Sequence, residues 1–167
     1  MTKDKFWQII QRSLDGSGGD TDEQAGSLRE ELKKLPPEEI VSFDHYVDEC
    51  RRESYSQDLW GAAYIISGGC SDDGFEYFRR WLISRGQEWF EKAMKSPDDL
   101  ADYPQKLSDS EVEFEEFAYL APRVYEEKTG QPFPYEKTPP YSLTGEDWEE
   151  DENVFRSRWP KLFAKYW

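Results

Sequence analysis

"LWGAAYIISGGCSDDGFEYFRRWLISRGQEWF", residues 59–90, sets two apolar segments on either side of a wedge of glycine, cysteine, serine and aspartate. From Asp58 to Ile66 the chain is apolar on every side of a helical projection apart from its leading aspartate, the pattern of a helix buried in the middle of a bundle. Gly68 suits the left-handed stop of that helix and Gly69 a tight turn. Ser71 or Asp73 can then cap the next helix, with Asp73 and Glu76 at capping-box spacing. Beyond the wedge, Phe75, Phe78 and Leu82 make an inner face, Glu76 and Arg80 are spaced for an outer ion pair, and Gly86 marks the end.

Helical spacing extends outward in both directions. Phe6, Ile9 and Ile10 form a short first face that the flexible "DGSGGD" of residues 15–20 ends. Ala25, Leu28, Leu32 and Leu35 lie on one stripe of a second helix, which the prolines at 36 and 37 close. Pro37 also suits the first turn of a third helix, where Glu38 and Glu39 face the positive end of the dipole. Ile40, Phe43, Val47 and Cys50 share its apolar face, so Cys50 reads as a small core residue. Residues 87–95 and "SPDDLADYP" (96–104) continue the helical pattern. From 109 onward, "DSEVEFEEFAYLAPRVYEEKTG" is expected to be helical, with a kink or restart at Pro122 and a stop at Gly130.

Residues 131–145, "QPFPYEKTPPYSLTG", hold four prolines and read as a long surface connection. The terminal stretch is acidic at its start ("EDWEEDE") and basic at its end, an order that matches a helix dipole. The expected fold is all-α: a compact multi-helix single domain, residues 1–167, around a central buried helix at about 59–66. A proline-rich surface connection near 131–145 and a C-terminal helical segment near 146–167 complete it.

The residues also carry a resemblance. An early "FW", an "FD" in the third helix, and above all "LWGAAYIISGGCSDDGFEYFRRWLISRG" followed by "SPDDLAD" resemble a mainly bacterial family, the domain of unknown function DUF4240. The resemblance is specific over roughly residues 1–102 and looser beyond, where "YEEKTG" is the familiar part. It implies a small stand-alone helical protein and supplies no reaction, ligand or site residue.

Charge narrows the classes of function. The chain has 36 acidic and 21 basic residues, a net charge of -15, and no basic run longer than a pair. Such a field repels nucleic acid and anionic membranes and speeds encounter with basic partners. With 7 Trp, 10 Tyr and 10 Phe the chain is too aromatic for a disordered acidic protein. The longest uninterrupted nonpolar run, Leu59 to Ile66, is far too short to span a bilayer, and no signal-peptide pattern opens the chain. A soluble, cytoplasmic protein is the expectation, with Cys50 and Cys70 as free thiols.

Two sites compete. In one, Asp72 and Asp73 at the Gly68–Gly74 corner converge with Asp58 and Asp44 to hold Mg²⁺ or a cationic ligand group, with Trp60 and Tyr64 nearby. Asp44 lies at the edge of the third helix's apolar stripe, and Arg79, Trp60 or Tyr64 is the expected partner of a half-buried carboxylate there. In the other reading the corner is structural, and the acid run Glu146–Glu152, with Glu149, Glu150 and Asp151 as contacts, meets a basic protein. Trp60, Tyr64, Trp81 and Trp89 are either an aromatic pocket or simple core.

Other chemistries have less behind them. Two aspartates in the first turn and no following lysine argue against a nucleotide loop, and one histidine with two separated cysteines excludes a histidine-based zinc site. A Cys70 and His45 dyad is opposed by His45 projecting away from the apolar stripe. The expectation is a protein-binding module for a basic protein, of the immunity-type inhibitor or adaptor kind, without a cofactor. The alternative is a small-molecule or divalent-metal-dependent enzyme or sensor at the corner.

Overall fold

The computed structural model describes residues 1–108, 111–136 and 139–167. It is all-α, with no strand among the described residues. Helices α1 (Lys3–Asp15), α2 (Thr21–Lys33), α3 (Pro37–Glu53), α4 (Gln57–Ser67), α5 (Asp72–Ser84) and α6 (Gln87–Lys95) follow in close succession. A 3-10 segment (Pro97–Asp102), α7 (Phe117–Thr129), α8 (Glu152–Arg158) and α9 (Pro160–Tyr166) come after them.

Local chemistry sets most boundaries. Thr2, Asp20, Ser56, Ser71 and Asp151 each accept a backbone N–H from the first turn of the helix that follows, which supplies an acceptor to donors without an intrahelical partner. Pro36 precedes α3 without a side-chain cap, and Pro37 occupies the first turn, where its missing N–H costs nothing. Gly68 closes α4 in the left-handed conformation, at φ 68° and ψ 28°.

Helix α1 packs on α2, and α7 lies across α2 and α3. Helix α4 is covered on its other side by α9 and the 3-10 segment. Leu59, Ala62, Ala63, Ile65 and Ile66 of α4 are buried, while Trp60 and Tyr64, one turn apart, sit half-buried along its remaining face. Trp159 lies against α4 with no exposed surface and donates its indole N–H to Asp58 O at 3.1 Å. The ring occupies the space that a side chain at Gly61 would need.

Two expectations about elements are corrected. The helix expected from 109 onward begins at Phe117; residues 109 and 110 lie outside the described residues. Between them, Val112 and Phe114 alternate with glutamates and are buried at 1% and 3% exposure, and Phe114 N–H bonds Tyr77 O at 3.3 Å. Glu111 and Val112 both bond back to Ser108 O, and the stretch beyond them leaves helical form so that both apolar residues are covered, whereas an α-helix would turn one of the two outward. Helix α7 runs through Pro122.

The acid run is the second correction. Glu146–Glu150 is irregular, and the terminal stretch becomes helical only at Glu152, where Asp151 caps α8. Pro160 then divides α8 from α9, because it cannot supply the N–H that one continuous helix needs. The connection at 131–145, of which residues 137 and 138 lie outside the described residues, is stitched to the α3–α4 turn. Gln57 N–H bonds Thr144 O at 2.8 Å, and Thr144 N–H bonds Tyr55 O at 3.2 Å.

Candidate functional site

The corner at residues 68–74 is built from capping. Ser71 Oγ accepts Gly74 N–H at 3.1 Å and is the N-cap of α5, so Asp73 is left in the first turn, exposed, and Glu76 faces elsewhere. The Asp73 and Glu76 capping box is thereby corrected: the serine two residues earlier satisfies the orphan donor first. Replacing Ser71 by alanine is expected to cost about 0.5 to 2 kcal/mol in thermal denaturation. Asp73→Ala should cost at most about 1 kcal/mol, the worth of a first-turn carboxylate on the dipole.

The carboxylates placed at this corner do not converge. Asp58 pairs with Arg158 at 3.2 Å, and Asp44 lies on α3 facing a different cleft from the one that Asp72 lines. Among the described residues no three His, Cys, Asp or Glu side chains are grouped as metal ligands. Trp60 stacks on Phe75, with centroids 4.9 Å apart, and donates its indole N–H to Cys70 O at 3.0 Å. Tyr64 turns toward the C-terminal aromatics Trp148, Phe155 and Trp167, where the neighbouring Glu150 carboxylate holds its phenol pKa above the ordinary value.

Trp81 and Trp89 meet at Tyr103, so the four aromatics singled out by spacing do not share one pocket. Cys50 is core, its thiol pushed up to about 12 by burial. Cys70 and His45 line different cavities and form no dyad.

What the fold does assemble is a charged cluster between α3 and α5. Glu76 accepts Arg51 Nε at 2.7 Å, lies 3.0 Å from Arg80 Nη2, and also takes the Arg79 guanidinium. Arg79 is 3% exposed, reaches Arg51 O, and rests over the rings of Tyr55 and Phe75 at 4.7 and 5.1 Å. Asp48 bonds Arg52 at 2.9 Å and Arg51 at 3.4 Å.

Two clefts flank the cluster. One, of about 220 Å³, is an aromatic slot between Trp60, Phe75, Tyr55 and Tyr141 with Asp72 at its edge. The other, of about 320 Å³, lies between α3, α5, α7 and residues 133–136.

Asp44 opens into this second cleft. It makes no hydrogen bond or ion pair with any described residue, and Arg79, Trp60 and Tyr64, the partners expected from the sequence, are occupied elsewhere. Burial pushes its carboxyl from the ordinary 3.8 up to about 6, against the pull of His45 and Arg51 and with a further push from Asp48. Arg51, Arg80, Tyr119, Tyr135 and Glu136, which also line the cleft, carried no site signal in the sequence. Tyr119 sits on an outward helix face, and Tyr135 and Glu136 lie in a connection whose prolines argue only for a surface loop.

A pH signature follows. The folded carboxyl binds its proton more tightly than the unfolded one, so stability falls as pH rises from 3.8 to about 6 and the loss is complete above that. Asp44→Asn, which removes the half-buried charge, should be more stable than the parent chain at pH 7, by at most about 3 kcal/mol. That margin should vanish as pH falls toward 4. Urea titrations of both chains at pH 4, 5, 6 and 7 measure it, and a margin independent of pH would contradict the assignment.

The comparison with known families agrees with the resemblance and extends it. A model described as "Protein of unknown function (DUF4240)" matches residues 1–127. The chain belongs to the DUF4240 family. The matched part covers α1 to α6, the 3-10 segment and most of α7, and so includes the Glu76 cluster and Asp44, while Tyr135, Glu136 and the C-terminal helices lie beyond it. No curated protein and no solved structure matches the chain.

Proposed function

We propose that this DUF4240 protein is an acidic protein-binding module for a basic partner, acting in the bacterial cytoplasm in the manner of an immunity-type inhibitor or an adaptor. The observation that supports the reading is how its charge is spent. Ion pairs within the chain engage Lys5, Arg12, Arg29, Arg51, Arg80 and Lys161, among others, while a surplus of carboxylates faces solvent. A negative surface with few unengaged cations attracts a basic protein over long range and discourages acidic ones.

The acid run contributes in a particular way. Trp148 anchors it by donating its indole N–H to Gln57 O at 2.9 Å and packing on Tyr64 and Trp159, which holds exposed Glu149 and Glu150 on the surface. Asp151 serves as the α8 cap and so has a structural duty as well, while Glu150 lies beside the Tyr64 phenol. The corner enzyme or sensor has less support, since its carboxylates lie apart and no helix among the described residues even brings them to one face.

The test begins with recovery of a partner by pull-down with the full chain. Its association rate should fall about tenfold or more between 0.01 M and 0.1 M salt, as the Debye length shrinks from about 30 to about 10 Å. The triple variant Glu149→Gln, Glu150→Gln, Asp151→Asn keeps an acceptor at the α8 cap, and should slow association more than it speeds dissociation. An acidic partner, or a rate indifferent to salt, would sink the proposal.

A further inference from the structure

We propose that the cleft between α3, α5, α7 and residues 133–136 is a seat for one lysine or arginine side chain of a partner protein, with Asp44 receiving the cation and Tyr119 and Tyr135 flanking it. This rests on the reading of the protein as a binder of basic partners, and names where on its surface such a partner docks. The decisive feature is an imbalance inside the cleft. Arg51 and Arg80 are already held by Glu76, Asp48 is shared between Arg51 and Arg52, and His45 Nε2 stands 3.7 Å from Glu136. Asp44 alone of these groups has neither hydrogen bond nor ion pair among the described residues.

A carboxylate partly withdrawn from water without a partner carries a cost, and an incoming ammonium or guanidinium offsets it with charge-assisted hydrogen bonds. An anion meets the opposite situation. Asp44, Asp48 and Glu136 all face the cleft, and its arginines have their carboxylates already. At about 320 Å³ the space stands at the lower end for ligand sites, which suits a single side chain better than a folded segment.

The walls match the rest of such a side chain. Val47, Ala118 and Phe133 offer apolar surface to an alkyl stem. Tyr119 and Tyr135, 45% and 70% exposed, are among the few large aromatics left open on the surface, the residue type enriched at protein interfaces. Their rings suit a cation: Arg123 of the same chain already places its guanidinium 5.3 Å from the Tyr119 centroid.

Occupancy depends on the ionisation of Asp44. The groups that face it are His45, Asp48 and Arg51 from α3, Arg80 from α5, Tyr119 from α7, and Tyr135 and Glu136 from the connection. Affinity should therefore rise with pH through about 6, as the carboxyl loses its proton, and level off above.

The experiment titrates the full chain, carrying labelled tyrosine and aspartate, with blocked tripeptides whose central residue is arginine, lysine or the neutral isostere citrulline. Arginine and lysine peptides should give saturable NMR shifts at Tyr119, Tyr135 and the Asp44 carboxyl. Citrulline, Asp44→Asn and Tyr135→Ala should each weaken binding, the first two by at least about tenfold. Tyr135→Ala alters an exposed residue, so its loss of binding does not depend on refolding.

Polylysine, titrated in parallel at 0.01 M salt, separates the two levels of the argument. If polylysine associates but neither tripeptide moves Asp44, the seat is wrong and the binding of basic proteins stands. If polylysine does not associate at all, the broader reading fails with it. Shifts at Asp44 from inorganic phosphate, with none from the arginine peptide, would make the cleft an anion site and overturn the proposal.

Discussion

Gly61→Ala is expected to destabilise the protein by about 3 kcal/mol, although an exposed glycine in a helix normally gains from the same change. A Cβ at Gly61 would stand 2.1 Å from Cη2 and 2.2 Å from Cζ2 of Trp159, well inside any real contact. The indole cannot easily retreat. It is wholly buried, its N–H is bonded to Asp58 O, Trp148 and Phe155 pack beside it, and Pro160 restricts the residue before it. Trp159→Ala alone should cost about 3 to 5 kcal/mol, the usual range for emptying a large aromatic site.

The double variant is the sharper measurement. With the indole removed, alanine at 61 no longer meets it, and its better helix propensity should make the second change neutral or favourable by roughly 0.5 to 1 kcal/mol. The sign of Gly61→Ala thus reverses between the two backgrounds. A urea denaturation cycle reads the reversal directly, and equal costs in both would mean that Trp159 does not sit on α4.

That contact also shows where the sequence stops being legible. The apolar run at 59–66 announces a buried helix, and the stop at Gly68 with the start at Ser71 places two helix ends within a few residues. Those signals are local, set by backbone conformation and by side chains near the turn. Gly61 gives no such signal, because its reason is an indole about a hundred positions later along the chain, beyond the part that the family match covers. The absence of an α-helix at 112–116 has a different cause: glutamate is a good helix former, and a period-two pair such as Val112 and Phe114 is too short to outweigh it before the packing against α5 is known.

The candidate site was visible only as one residue. Asp44 at the edge of an apolar stripe was enough to raise the question of a half-buried carboxylate, yet its neighbours come from four separated stretches of chain. Arg80 read as half of an outer ion pair with Glu76, and that pair exists at 3.0 Å. Spacing along one helix could not reveal that Arg51, from another helix, reaches the same carboxylate and draws the pair inward. Tyr135 is harder still, since nothing in a proline-rich connection says which ring will stand at the mouth of a cleft.

Glu76→Gln should be the most damaging substitution of a charged residue, at about 3 to 5 kcal/mol, the cost of removing one partner from a buried ionic group. Three guanidiniums, those of Arg51, Arg79 and Arg80, meet at this one carboxylate, only Arg51 has a second in Asp48, and their side chains are 26%, 3% and 12% exposed. Arg79 and Arg80 have no second carboxylate among the described residues to take over. Nε of Arg79, Nε of Arg80 and Nη2 of Arg52 are buried without a hydrogen-bond partner among the described residues even with Glu76 in place. Lys33→Ala, which breaks an exposed pair with Glu30, is the control and should cost no more than about 1 kcal/mol. Equilibrium urea denaturation of the two variants compares them. The same substitution carries a second consequence for the cleft, because an Arg51 released from Glu76 shares that cleft with the Asp44 carboxylate. If Arg51 turns to it, the Asp44 carboxyl will titrate well below its value in the parent chain, and cationic peptides will lose their seat to an internal guanidinium. A Glu76→Gln variant that is destabilised yet leaves the Asp44 titration unmoved would confine the role of Glu76 to packing α3 against α5.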